Sequence, residues 1–256
     1  MQKGNKKMKI TGFGDFLIHF SPPGDERFAQ AELMSMSFTG AEANVCTALA
    51  FWGENTEFVT KLPAHAIGQG AVNSLRGLGV DTKDIVRGGE RVGIYYLEKG
   101  ASQRGSVCIY DRAYSAIQLA KREDFDWDKI FDGADWFHVT GITPALSESL
   151  CEATIEALKK CKEKGITVSC DLNFRKNLWT TEKAGRVMGE LMPYVDVAIA
   201  NEEDCKDVFG IEAEATDIYA GELNHEGYKS VAKQLADKFG FEMVAITLRE
   251  SHSAFD

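Results

Sequence analysis

From residue 134 onward, short apolar runs alternate with amphipathic stretches, and this restricts the chain to few architectures. Trp136-Phe-His-Val-Thr140, Ile166-Thr-Val-Ser-Cys170, Val195-Asp-Val-Ala-Ile-Ala200 and Phe241 to Leu248 read as strands. Runs that are apolar throughout suit strands buried on both faces. Between them, Ser147 caps a helix with the stripe Leu150, Cys151, Thr154, Ile155, Leu158 and Cys161, closed by Gly165. Thr180 or Thr181 starts another helix, and Asn201-Glu-Glu-Asp204 opens a short one to Phe209. Tyr228, Val231, Ala232, Leu235, Ala236 and Phe239 form a last stripe, while Glu212 to Glu226 has no period and reads as a loop. Strand–helix–strand repetition predicts a mostly parallel sheet with helices on both faces.

The first half is more mixed. Lys9 to Asp15 is a first strand, extended by Phe16 to Phe20 and broken at Pro22-Pro23-Gly24. Alternation within Phe28 to Phe38 predicts a further strand. Gly40-Ala-Glu-Ala-Asn44 opens a helix whose apolar positions are Val45, Ala48, Leu49 and Trp52. Glu57 to Thr60 is a strand, and Gly68 to Arg76 a helix. Gly93 to Glu98 and Ser106 to Tyr110 alternate in character and flank a polar turn, so a hairpin is predicted. These segments are assigned to a separate small antiparallel sheet. The expected division is an α/β core at 8–15, 41–90 and 115–256, a lid at 16–40 and 91–114, and a flexible extension at 1–7.

The formal net charge is −10, with 29 Lys and Arg against 39 Asp and Glu, so nucleic acid is not an expected partner. Six scattered cysteines form no Cys-x-x-Cys pair and read as buried free thiols in a reducing cytoplasm. No signal-peptide pattern is visible, and no run approaches the roughly 18 apolar residues of a membrane span.

Chemistry concentrates at strand ends. Ile166 to Cys170 leads directly into Asp171-Leu-Asn-Phe-Arg-Lys-Asn-Leu-Trp179, and in open α/β sheets ligands bind outside the carboxyl ends of strands. A solvated, helix-capping loop explains the same residues equally well. Gly40 would let backbone approach a ligand at a helix start, or simply join a loop to a helix. Arg112 and Arg175 could grip a carboxylate if the small sheet folds over the core, or both could be exposed. No Gly-x-Ser-x-Gly, dinucleotide fingerprint or Walker loop occurs, and the five histidines lack metal spacing. His138, inside an apolar strand, reads as a core histidine.

Taken together, Gly40-Ala-Glu-Ala-Asn44, Gly68 to Val80, Tyr110-Asp-Arg112, Gly141-Ile-Thr-Pro-Ala-Leu-Ser147, Asp171 to Trp179, Asn201-Glu-Glu-Asp204 and Thr247-Leu-Arg249 resemble the ribokinase-like (PfkB-type) sugar kinases. Within that family they resemble the branch acting on 2-keto-3-deoxygluconate. The resemblance implies a three-layer α/β/α core with a β-sheet lid, ATP and Mg2+ as cofactors, and a homo-oligomer formed through the lid. Gly40 and Asn44 would contact sugar hydroxyls, Tyr95 and Tyr110 would line the pocket, and Arg112 and Arg175 would face a sugar acid's carboxylate. Asn173, Asn201, Thr247, Arg249 and Ser251 would border the nucleotide, and Asp204 would hold Mg2+ through water.

The chain also departs from the family pattern. Thr39-Gly40 replaces Gly-Gly, Pro63 to Gly68 replaces Gly-x-Asp-x-x-Gly, and Asp204 replaces a glutamate. Arg249 to Ser253 stands where a glycine-rich turn is usual, and Gly-Ala-Gly-Asp is absent. The general base is therefore expected beyond Asp256, with the 256 residues a fragment lacking the C-terminal part of the fold. The alternatives are another sugar kinase, such as a fructokinase, or a non-catalytic sugar-binding protein.

Overall fold

The computed structural model describes residues 7–212 and 225–248. The elements run β1 (Lys9–Phe13), β2 (Leu17–Ser21), β3 (Ser35–Thr39), α1 (Ala41–Phe51), β4 (Asn55–Val59), β5 (Lys61–Leu62), α2 (Ala66–Gly77), β6 (Val86–Arg87), β7 (Ile94–Glu98) and β8 (Val107–Asp111). They continue with α3 (Trp127–Ile130), β9 (Trp136–Thr140), α4 (Ile142–Leu146), α5 (Glu148–Lys164), β10 (Thr167–Asp171), α6 (Thr181–Leu191), β11 (Val197–Ala200), α7 (Glu202–Phe209), α8 (His225–Phe239) and β12 (Met243–Ile246).

Six strands form one parallel sheet in the order β12-β11-β10-β9-β1-β4. Side chains alternate across it. Phe13, Val59, Val139 and Cys170 point into a core shared with Leu150, Leu158 and Met188 of α5 and α6. On the other face, a Cβ at Gly12 would meet the Cys46 sulfur of α1. Helices thus cover both faces, as predicted. His138 is buried against the Ser169 hydroxyl at 2.9 Å, and burial holds its pKa down at about 4, so it is a neutral core residue.

A second sheet has the order β3-β2-β7-β8. Its expected antiparallel character holds for β2 with β3 and for the β7–β8 hairpin, but β2 pairs with β7 in parallel. The sheet is therefore mixed, because its two hairpin-like halves come from distant chain segments and meet side by side. Phe16 to Phe20 does not extend the first strand. The chain turns at Gly14 to Phe16 and enters this second sheet as β2. The apolar stripe expected on α1 is also wrong. Phe51 and Trp52 are 71% and 80% exposed, and the buried residues are Glu42, Ala43 and Cys46. The helix lies close over β1, with Cys46 packed against Gly12.

The expected loop at Glu212 to Glu226 falls largely outside the described residues, as does nearly all of the 1–7 extension.

Candidate functional site

The chain leaves β1 for the small sheet, returns through α1, and adds β4 on one side of β1. It then adds β9 on the other side. That reversal creates a crevice outside the carboxyl ends of β1 and β9, the usual ligand position in open α/β sheets. Gly14 and Asp15 follow β1, Gly141 follows β9, Leu172 follows β10 and Asn201 follows β11. Thr247 follows β12 and donates its N–H to the Ala200 carbonyl at 2.9 Å.

The loop after β10 is shaped by its own polar groups. Asp171 Oδ1 accepts the Asn173 N–H at 3.0 Å, and Asn173 takes a positive φ of 37°, which asparagine tolerates better than most residues. Arg175 Nη1 donates to the Phe174 carbonyl at 2.9 Å. This brings Arg175, Lys176, Asn177 and Leu178 to one wall of a cleft of about 450 Å³. The opposite wall is Cys108, Tyr110, Arg112, Ala113 and Gln118 from β8 and the segment after it. The two arginines, 63 residues apart in number, face the same space.

Arg112 lies over the Tyr110 ring at 4.3 Å, with Nε 3.7 Å from Asp15 Oδ2. Burial pushes the Asp15 carboxyl up from its ordinary value, and the Arg112 charge opposes that. Behind Tyr110, cross-strand register places Tyr95 of β7 and His19 of β2 in one row. Their rings stack at 5.5 Å (Tyr95 on Tyr110) and 4.5 Å (His19 on Tyr95). Burial raises the Tyr110 hydroxyl pKa, Cys108 adds to this, and Arg112 and Arg175 pull it back.

Gly40 sits at the N-terminus of α1, where a Cβ would collide with the Asp15 carbonyl. Its φ of −168° is extended, so close approach explains the glycine. Asn44 is exposed, and its Oδ1 accepts the Thr39 hydroxyl at 3.1 Å. Gly40, Asn44 and Tyr95 do not line the cleft. Tyr95 borders it through Tyr110, whereas Gly40 lies against Asp15, which in turn sits behind Arg112.

On the far side, Asn201 caps α7 by accepting the Asp204 N–H at 2.7 Å. Asp204 is 6% exposed and accepts the Phe174 N–H at 3.3 Å. Burial raises the Asp204 carboxyl, with the Phe174 N–H and Arg175 opposing. Burial also pushes Asp171 up to about 6. The Asn173 N–H lowers it, and the Asp204 charge adds to the rise. Among the described residues, no group of three or more His, Cys, Asp or Glu could hold a metal directly. Arg249 and Ser251 lie outside the described residues.

Several residues here escaped the sequence reading as site members. Asp15 follows a strand just as Asp171 does, so the same strand-end argument could have found it. His19 carries no such signal, because its place depends on the register of β2 with β7.

A small mixed sheet beside the carboxyl edge of a parallel sheet, with two arginines lining the cleft between them, defines an open-sheet α/β protein with a ligand-sized cleft at its strand ends. Residues 7–250 match the family model described as pfkB family carbohydrate kinase. The chain belongs to that family. It is 35% identical over 242 residues to a 2-dehydro-3-deoxygalactonokinase of Haloferax volcanii, covering 94% of this chain and 72% of the relative. It is 30% identical over 210 residues to a 2-dehydro-3-deoxygluconokinase of Thermoproteus tenax, covering 80% of this chain and 62% of the relative. The crystal structure of a 2-dehydro-3-deoxygluconokinase from Thermotoga maritima superposes with a TM-score of 0.92 at 52% identity, covering 96% of this chain and 74% of that one.

Proposed function

We propose that the cleft binds a 2-keto-3-deoxy sugar acid and that the protein is a kinase transferring the ATP γ-phosphoryl group to the acid's primary hydroxyl. 2-Keto-3-deoxygluconate, giving its 6-phosphate, is the assigned substrate. The observation that carries this reading is the convergence of Arg112 and Arg175 on one cleft. Guanidinium groups pair bidentately with carboxylates, whereas a neutral sugar offers no charge to match them. The names of the Haloferax and Thermotoga relatives support the same substrate class.

In this reading the sugar extends beyond the cleft's own lining to Gly40 and Asn44, which meet its hydroxyls, and Tyr110 forms the aromatic wall with Tyr95 stacked behind it. Asn173, Asn201, Thr247, Arg249 and Ser251 border the nucleotide. Asp204 would hold Mg2+ through water, which would supply charge neutralisation for the phosphates. No residue of this chain is assigned as the base, since its 256 residues contain no Gly-Ala-Gly-Asp. The assigned location is the cytoplasm, and the assigned assembly is a homo-oligomer joined through the small sheet.

Titration calorimetry with 2-keto-3-deoxygluconate, its galacto epimer, fructose and ribose tests the substrate class. The acids should bind more tightly than the neutral sugars. Arg175→Ala should weaken the acids by about tenfold to a hundredfold, the scale of a charge-assisted hydrogen bond. It should change the neutral sugars little. Equal losses for both classes, or a wild-type preference for fructose, would overturn the acid assignment.

A further inference from the structure

The Gly141-Ile-Thr-Pro segment contributes nothing to the cleft lining, yet the Thr143 hydroxyl, with that of Thr140 just before it, is engaged elsewhere. Glu42, in the first turn of α1, is 1% exposed. Its Oε1 accepts three hydrogen bonds: from the Thr140 N–H at 3.1 Å, the Thr140 hydroxyl at 2.8 Å and the Thr143 hydroxyl at 2.8 Å. Thr140 and Thr143 are 2% and 0% exposed. On the β1 side, a Cβ at Gly14 would collide with the Glu42 carboxylate, so the glycine there leaves the room it occupies.

One carboxylate thus ties the start of α1 to the end of β9 and to α4, with Gly14 after β1 making room for it. The contacts extend further. Gly40, two residues before Glu42, lies against the Asp15 carbonyl, and the Gly141 N–H donates to the Asp171 carbonyl at 2.8 Å. Burying a carboxylate is costly even when it is well bonded. An apolar side chain would fill the same volume without that cost, but it would not set the direction of α1 relative to β9.

We propose that Glu42, held by Thr140 and Thr143, is a positioning residue for sugar binding. It fixes the helix start that carries Gly40 and Asn44 against the end of β9, which the Gly141 N–H in turn ties to Asp171 at the head of the Asp171–Trp179 loop. The inference rests on the reading of Gly40 and Asn44 as sugar contacts, but not on the acidity of the sugar. Glu42 itself touches no ligand and acts through the placement of α1.

The test is calorimetric binding on the 256-residue chain, with three variants. Thr143→Val keeps the volume and removes one donor, Thr143→Ser restores the hydroxyl, and Glu42→Gln keeps the shape without the charge. Thr143→Val and Glu42→Gln should raise Kd by about tenfold, and Thr143→Ser should return it to near the wild-type value. The rise should be the same for 2-keto-3-deoxygluconate and for fructose, unlike the acid-selective loss expected of Arg175→Ala. A purely structural role would lower the melting temperature and the binding stoichiometry while leaving Kd of the folded fraction unchanged, and that result would overturn the proposal. Thr143→Val with its serine control decides the matter even where Glu42→Gln does not fold. A wild-type preference for fructose would remove the acid reading alone, and the Thr143→Val ratio on fructose would then judge Glu42. Absence of any sugar binding by the wild type would overturn both.

Discussion

At Glu57 on β4 a carboxylate is buried to 1% exposure, with Lys9 Nζ at 3.2 Å and Lys83 Nζ at 3.6 Å. Burial pushes its pKa from the ordinary 4.5 up to about 7. The neighbouring Asp84 carboxyl adds to the rise, and the two lysines oppose it. Between those two values the folded chain binds more protons at this site than the unfolded chain does. Stability therefore falls as pH rises through the window. Glu57→Gln cannot titrate, so its advantage over the wild type should grow from pH 4.5 to about 7.5. Urea unfolding of both proteins across that range measures the difference, and parallel stability profiles would refute the assignment. At this scale the site was only partly legible. Arg112 and Arg175 stand out because each follows a strand and carries a charge that the rest of the segment does not need. Glu42 sat in view within Gly40-Ala-Glu-Ala-Asn44, but nothing local says that its acceptors' donors lie about a hundred residues away.

Helix boundaries belong to the scale of elements, and here local chemistry was sufficient. Ser147 accepts the Leu150 N–H at 3.2 Å, Thr180 accepts the Lys183 N–H at 3.3 Å, and Gly165 closes α5 at a φ of 66°. Each satisfies donors or geometry within one turn of itself, so its signature is written into adjacent residues. Ser147→Ala should cost about 1 kcal/mol and lower the melting temperature by roughly 2–4 °C, read by thermal denaturation. An unchanged melting temperature would mean that the cap contributes nothing. The α1 stripe failed because apolar periodicity reports a helix's own faces and not what each face meets. The face of α1 that meets Gly12 carries Cys46, while Phe51 and Trp52 lie exposed at the far end of the helix.

Across the whole molecule, the small sheet has two unlike faces. One carries His19, Tyr95 and Tyr110 in register beside the cleft. On the other, Phe38, Ile18 and Ile94 seat on the α1–α2 core, and the next row is Met36, Phe20, Tyr96 and Ile109. Met36 and Ile109 are 55% and 50% exposed, and Val107 is 42% exposed. An apolar sheet face of this kind is suited to pairing with a second copy. Light scattering after size exclusion should give a dimer or larger assembly that Ile109→Glu shifts toward monomer. A monomeric wild type would reject the assembly through this face.

The amino-acid sequence by itself determined the strand–helix alternation, the helix caps, the parallel core sheet and the family motifs. All of these depend on side-chain chemistry within a few residues. Only the tertiary structure decided that β2 runs parallel to β7, that Arg112 and Arg175 share one cleft, and that Glu42 joins α1 to β9. Those are contacts between segments far apart in the chain, and no local propensity encodes which of the many possible pairings closes.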